Sequence, residues 1–104
     1  MKITDRALVT ILAAIHDWKC PGHLYGTGAL IVCAARAIDH ERKGEPWTAF
    51  SVCQEVASEK GMVQHSLWNV MCYALERSKG PNGPAAAIKS IVKGYYANGF
   101  MDKV

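Results

Sequence analysis

The sequence predicts a single all-α domain of five to six helices. Apolar residues recur at helical spacing along most of the 104 residues, and no stretch alternates apolar and polar side chains as a half-buried strand does. Half of the residues are hydrophobic and 20% are charged, a composition that excludes an intrinsically disordered chain. A chain of this length has room for one domain and not for two, so we treat residues 1–104 as one unit.

The first predicted helix begins close to the N-terminus, where Thr4 or Asp5 is placed to cap it. Its apolar stripe, which we expect to face the core, consists of Leu8, Ile11, Leu12 and Ile15. The segment 19–23, Lys-Cys-Pro-Gly-His, ends this helix.

The second predicted helix spans about residues 25–40, and we expect it at the centre of the domain. Its first half is apolar on nearly all sides, which is typical of a helix with neighbours all around it. Gly26 and Gly28 near its start would allow it to begin close against a neighbouring helix. Residues 41–45 form a polar connection to the next helix.

The third predicted helix has Pro46 in its first turn, where the missing N–H of proline would be unbonded anyway. It ends near Gly61. The side chains that we expect on its inner face are Ala49, Phe50, Cys53, Val56 and Ala57.

The fourth predicted helix spans about residues 64–78 and the fifth begins at Pro84, after the loop 80–83. The fourth helix carries a regular apolar stripe of Leu67, Val70, Met71, Ala74 and Leu75. The fifth helix turns Ile88, Ile91, Val92 and Tyr95 inward.

Residues 46–78 meet the requirements of a helix-turn-helix. Ala57 supplies the small residue where the first helix crosses the second. Gly61, four residues later, supplies a turn residue that tolerates positive φ. The apolar positions that anchor the two helices are Val56, Met62, Leu67 and Val70. A helical hairpin of purely structural purpose meets several of the same requirements, and that alternative stays open.

In a helix-turn-helix the fourth helix would present an outward face that suits DNA. A rotation of about 100° per residue places these residues opposite the apolar stripe: His65, Ser66, Asn69, Cys72, Tyr73 and Glu76, with Trp68 at the border. Asparagine can bond adenine with two hydrogen bonds, and histidine and serine can reach base edges or phosphates.

The distribution of charge fits a polyanionic partner, and it fits a solvated face without a partner equally well. The formal net charge is +3, and the basic excess lies in residues 60–93, where Glu76 is the only acidic residue. We expect phosphate contacts from Arg77, Lys79, Lys89 and Lys93. The full predicted DNA-binding set is His65, Ser66, Trp68, Asn69, Tyr73, Arg77, Lys79, Lys89 and Lys93.

A protein-interaction module is the alternative function. The outward face has no arginine before Arg77, although arginine to guanine is the commonest specific base contact. Trp68 on its flank is a large ring of the kind that anchors protein–protein contacts. The sequence also leaves a homodimer open.

The sequence lacks the residue patterns that indicate catalysis, a bound cofactor or a metal site. His16-Asp17, and Cys20 near His23, lack a nucleophile, base and orienting group at recognisable spacing. The segment 26–28, Gly-Thr-Gly, lacks the lysine of a phosphate-binding loop. The other cysteines, Cys33, Cys53 and Cys72, have no paired metal-ligand spacing. We therefore expect a metal-free, cofactor-free binding protein with four reduced cysteines.

We also expect a cytoplasmic protein that does not enter a membrane. The longest weakly polar run, residues 27–35, is roughly half the ~20 residues needed to cross a bilayer, and no signal peptide is visible.

Several short motifs follow one another along the chain: Pro21-Gly22-His23-Leu24-Tyr25-Gly26, Leu30, Ala37-Ile38, Val56-Ala57, Ala74-Leu75-Glu76 and Pro81-Asn82-Gly83-Pro84. In their order and spacing the chain, from about Leu8 to Tyr96, resembles the C-terminal DNA-binding effector domain of the sporulation initiation factor, a bacterial response regulator. The resemblance implies an all-helical fold with a helix-turn-helix and a role in transcription regulation.

The recognition helix departs from the pattern of that family. The family has arginines there, and the matching positions are Ser66, Asn69 and Cys72; Trp68 replaces an acidic residue. The resemblance therefore implies the fold and not the family's DNA sequence preference. The family's receiver domain has no counterpart here, so we expect a stand-alone domain, and control by phosphorylation does not carry over.

Overall fold

The computed structural model describes residues 5–97, which form an all-α domain. Its five helices are α1 (Asp5–Asp17), α2 (Tyr25–Arg42), α3 (Ala49–Glu59), α4 (Gln64–Glu76) and α5 (Pro84–Ala97). Within this range there is no β-strand. The predicted fold class is thus confirmed, and the helices occur in the predicted order. None of the five helices has both the length and the apolar character required to span a membrane.

The central helix is α2, as the sequence predicts. It contacts each of the four other helices, and Leu30, Cys33 and Ala34 on it are fully buried. At its start a Cβ added to Gly26 would lie 1.8 Å from the carbonyl oxygen of Val70, so the backbones of α2 and α4 touch there. Gly28 has open space around it, and only Gly26 fulfils the prediction of a close approach.

The prediction for the inner face of α1 is partly wrong. Ile11 and Ile15 are buried, but Leu8 is 36% and Leu12 is 45% exposed. The buried face is rotated toward the small side chains Ala7 and Thr10. Small residues let α1 lie close to α2 and α5, the two helices that it contacts. This rotation leaves apolar side chains in solvent.

The starts of the first and third helices also differ from expectation. Asp5 lies inside the first turn of α1 rather than at the cap position, and Thr4 lies outside the described residues. Pro46 is not part of α3, because Thr48 caps this helix. The hydroxyl of Thr48 accepts a hydrogen bond from the Ser51 N–H at 2.9 Å, and the Ser51 hydroxyl accepts one from the Thr48 N–H at 2.8 Å. This reciprocal capping box sets the start of the helix.

The remaining boundaries are close to the predicted ones. The central helix continues to Arg42, two residues past the predicted end, and α4 ends at Glu76 rather than residue 78. Pro84 begins α5 as predicted, and the four predicted inner residues of α5 are buried. Between α4 and α5, the Lys79 N–H donates to the Trp18 carbonyl at 2.6 Å, which ties this loop to the end of α1.

Candidate nucleic-acid interface

The turn between α3 and α4 has the geometry of a Schellman motif. Gly61 has φ of +67°, the left-handed conformation that the sequence predicts for it. Its N–H donates to the Ser58 carbonyl at 3.2 Å, and the Met62 N–H donates to the Ala57 carbonyl at 2.8 Å. These bonds satisfy carbonyl groups at the end of α3 and fix the direction in which the chain enters α4. The two helices and the turn span residues 49–76, which is shorter at both ends than the predicted 46–78.

Helix α4 begins without a side-chain cap. Val63 occupies the N-cap position with an extended backbone. Its carbonyl accepts hydrogen bonds from the Ser66 and Leu67 N–H groups, at 3.0 and 3.2 Å. The N–H groups of Gln64 and His65 have no hydrogen-bond partner among residues 5–97. Such N–H groups at a helix start, together with the helix dipole, attract anions.

The outer face of α4 carries polar side chains that the fold does not use. His65, Ser66 and Asn69 are exposed, and in the described part of the chain their side chains make no hydrogen bond or ion pair. The opposite face is packed, since Leu67, Met71 and Ala74 are fully buried. The predicted division of this helix into an inner and an outer face is therefore correct.

Two residues on the flanks of this face lie differently from the rest. Cys72 is half-buried and lines a shallow cleft with Leu75 and Asn82. Trp68 is also half-buried, because its ring stacks on Phe50 of α3 with centroids 4.2 Å apart and planes 8° from parallel. Phe50, which we expected inside, is 59% exposed. Its position is explained by this stacking, since the side chain of Trp68 covers the core and Phe50 lies over it.

The basic residues of the predicted set are exposed, and one of them is held in place. The Arg77 guanidinium lies 3.4 Å from the centre of the Tyr73 ring. It also donates to the Tyr73 carbonyl at 3.3 Å, at the end of α4. Lys79, Lys89 and Lys93 extend into solvent, and within residues 5–97 none of them forms an ion pair.

Lys60 and Tyr25, which are not in the predicted DNA-binding set, lie beside the turn. The Lys60 ammonium group lies 5.7 Å from the centre of the Tyr25 ring, and the Tyr25 hydroxyl donates to the Met62 sulfur at 3.4 Å. These contacts add a cation and an exposed aromatic ring close to the start of α4. The basic residue was visible in the charge distribution, but nothing in the sequence placed Tyr25 next to it.

The polar side chains of α3, in contrast, are used inside the fold. Arg36 of α2 donates to Glu55 at 3.0 Å and also pairs with Glu59. His40 of α2 contacts Glu55 at 2.9 Å and Glu45 at 2.7 Å, one through each ring nitrogen. Hydrogen bonding to Glu55, and secondarily to Glu45, raises the pKa of His40 above its ordinary value. The acidic residues of this side are therefore partly neutralised by α2.

The cysteines lie in apolar surroundings. Cys33 and Cys53 are fully buried, and burial together with the neighbouring Cys53 raises the pKa of the Cys33 thiol to about 12. Burial also raises the pKa of Cys20 and of Cys72. A raised pKa favours the thiol over the thiolate that binds metals and attacks electrophiles.

The residues that we considered for catalysis lie at the end of α1 and in the loop before α2, and the Cys20 thiol lies beside Ser78, just after α4. His16 and Asp17 are exposed at the end of α1, while Cys20 is half-buried and His23 is exposed in the loop before α2. In the described part of the chain, none of the four side chains forms a hydrogen bond or ion pair with His65, Ser66 or Asn69.

No protein-family model matches the chain, and neither a characterised protein nor a solved structure shows significant similarity to it.

Proposed function

We propose that this domain is a DNA-binding transcription regulator in which α3, the Gly61 turn and α4 act as a helix-turn-helix. In this proposal α4 enters the major groove, and His65, Ser66 and Asn69 meet base edges. The observation that carries the proposal is that these three side chains form an exposed polar row with no partner in the fold. A purely structural hairpin has no need for such a row.

The surroundings of α4 support phosphate contacts on both sides of this row. The unbonded N–H groups at the start of α4 and the nearby Lys60 offer an anion site at one end. At the other end Arg77 and the exposed Lys79 follow the helix. Contacts of this kind fix the position of a protein on DNA without reading the sequence.

The resemblance to the sporulation initiation factor supports the same proposal, including a bacterial, cytoplasmic setting. The exposed residues of α4 differ from that family's arginine-rich helix. The proposed regulator therefore reads a DNA sequence of its own. Because it has few basic groups, we expect non-specific binding with a dissociation constant of micromolar or weaker at physiological salt.

The experiment is a fluorescence-anisotropy titration of a random-sequence duplex at two salt concentrations. Lys79→Ala should weaken binding to every duplex and lower the slope of log affinity against log salt by about one. Lys43→Ala is the matched control, because Lys43 follows the end of α2 and already pairs with Asp39 at 3.1 Å. Absence of binding at low salt, or equal effects of the two variants, would contradict the proposal.

A protein-interaction module is the second candidate, and one observation favours it. The stack of Phe50 on Trp68 leaves an aromatic surface exposed directly beside the polar row. Exposed aromatic rings of this kind anchor protein–protein interfaces. If no duplex binds and Phe50→Ala abolishes association with a protein partner, this second function replaces the first.

A further inference from the structure

The outer face of α1 is apolar at its centre and charged at its ends. Leu8, Val9 and Leu12 are 36%, 59% and 45% exposed, and the exposed Ala13 extends the same surface. We call these four residues the α1 patch. They lie next to one another because residues three and four apart share a helix face. Asp5 precedes the patch and His16 follows it, and both are exposed.

We propose that the α1 patch is the contact surface of a homodimer in which two copies of α1 pack antiparallel about a two-fold axis. An isologous interface needs a surface that is complementary to itself. The row Asp5, Val9, Leu12 and His16 has this property, because its spacing reads the same in both directions. Antiparallel pairing about a point between Val9 and Leu12 places Val9 against the Leu12 of the second copy.

The same register pairs complementary polar groups at both ends of the patch. It brings Asp5 of each copy against His16 of the other copy. Arg6 and Asp17, which lie about 20° apart on one flank of the helix at about 100° per residue, meet each other across the axis within about 3 Å of helix rise. The antiparallel arrangement also places the positive end of one helix dipole beside the negative end of the other.

A second copy of the chain fits this surface better than an unrelated apolar partner, because the charges match only in the antiparallel register. A parallel pairing would place Asp5 against Asp5 and His16 against His16. The patch extends over about two helical turns, so it buries less than the roughly 800 Å² per partner of a standard interface. The dimer should therefore be weak, with a dissociation constant on the order of 0.1 mM.

Dimerisation through α1 does not involve the two helices of the proposed helix-turn-helix. Helix α1 contacts α2 and α5 and neither α3 nor α4. The inference does not depend on DNA binding. If the domain binds DNA as proposed, a two-fold dimer would favour two inverted half-sites.

The first test is sedimentation equilibrium of the 104-residue chain between 10 µM and 1 mM. We expect a concentration-dependent monomer–dimer equilibrium for the wild type and at least a tenfold weaker dimer for Val9→Asp. Val63→Asp is the matched control, since Val63 is 69% exposed on α4's N-terminal side and should leave the equilibrium unchanged. A wild type that is monomeric at 1 mM would overturn the proposal, as would equal effects of the two variants.

The second test examines the register and does not depend on the apolar residues. Asp5→Lys and His16→Glu should each weaken self-association, because Asp5→Lys removes both carboxylates that face His16 and His16→Glu places two pairs of carboxylates against each other. A mixture of the two variants should form a heterodimer at least as tight as the wild-type dimer, since one end then pairs Asp5 with His16 and the other pairs the two new charges. Circular dichroism checks that each variant is folded. Failure of the mixture to associate more tightly than either variant alone would overturn the antiparallel arrangement.

Discussion

Helix α2 holds α3 and α4 in two different ways. Against α3 it uses charged side chains, with Arg36 and His40 bonded to Glu55 and Glu59. Against α4 it uses backbone contact, because Gly26 lies directly on the carbonyl of Val70. The contact between α2 and α3 therefore occupies polar side chains of both helices, whereas the contact at Gly26 between α2 and α4 occupies none.

This difference explains why α4 and not α3 has polar residues available for a ligand. Close packing of backbone and apolar side chains fixes α4 without help from its outer face. The outer residues of α3 stabilise the fold instead, and Gln54 donates to the Ser58 hydroxyl at 3.3 Å within the helix. A helix anchored by packing can present a rigid row of polar groups, which is what a recognition helix requires.

The largest loss of stability should come from adding a side chain where the backbones of α2 and α4 touch. Gly26→Ala would place a Cβ 1.8 Å from the Val70 carbonyl oxygen, so the helices must separate at a cost of about 3 kcal/mol or more. Gly28→Ala is the control, because nothing lies within 4 Å of its added Cβ; it should stabilise the domain by roughly 0.5–1 kcal/mol. Urea denaturation measures both, and similar results for the two would show that the α2–α4 contact is not tight.

Substitutions in the ion pairs between α2 and α3 should lower the stability less than Gly26→Ala does. Arg36→Met leaves Glu59 without its partner and Glu55 with His40 alone, and it should lower the free energy of unfolding by about 1–3 kcal/mol. Lys43→Met removes a solvent-exposed pair with Asp39 and should cost less than about 1 kcal/mol. If Arg36→Met had no larger effect than Lys43→Met in the same denaturation assay, α2 would not hold α3 through charges.

The turn between the two helices should show a backbone effect alone. Gly61 has φ of +67° and open space around it, so Gly61→Val strains the backbone without a clash and should cost roughly 1–2 kcal/mol. Gly61→Asn should cost less, because asparagine tolerates this conformation better than other side chains. Equal melting temperatures for wild type and Gly61→Val would contradict the left-handed turn.

The smallest effect is a pH dependence from His40. Its pKa is raised in the fold by hydrogen bonds to Glu55 and Glu45, so the protonated ring stabilises the folded state. This contribution is complete below the ordinary pKa of about 6.5 and is lost as the pH rises through the higher folded value. His40→Gln should flatten the stability profile in this window, by less than about 1 kcal/mol. A stability that rises with pH in the wild type and not in the variant would contradict the assignment.

The sequence predicted the parts of this fold that depend on local signals. Gly61, Pro84 and the two faces of α4 follow from backbone preferences and helical spacing, which act within a few residues. The capping box of Thr48 and Ser51 was also readable, since the two residues are three apart, but Pro46 drew the predicted start earlier. The ion pairs between α2 and α3 also have a local signal. Arg36 and His40 are four residues apart on α2, as are Glu55 and Glu59 on α3, so each pair lies on one face of its helix.

Other features depend on how the helices meet, which the sequence does not state. The stripe of α1 looked continuous because Leu8 and Leu12 are larger than Ala7 and Thr10, yet the smaller pair is buried. Close helix packing favours small side chains, so the size of an apolar side chain does not predict which face of α1 is buried. Phe50 was predicted to be inside for the same reason, and only the position of Trp68 on the next helix explains its exposure.

The most direct test of the central claim compares one outer residue of α4 with one of α3. A duplex would first be selected from a randomised library with the wild-type domain, and binding then measured by anisotropy. Asn69→Ala should weaken binding to this duplex by about 1–3 kcal/mol and change little on random DNA. Gln54→Ala, a matched change on α3, should leave both affinities unchanged. If the two variants bind the selected duplex equally well, or if no duplex can be selected, α4 is not a recognition helix.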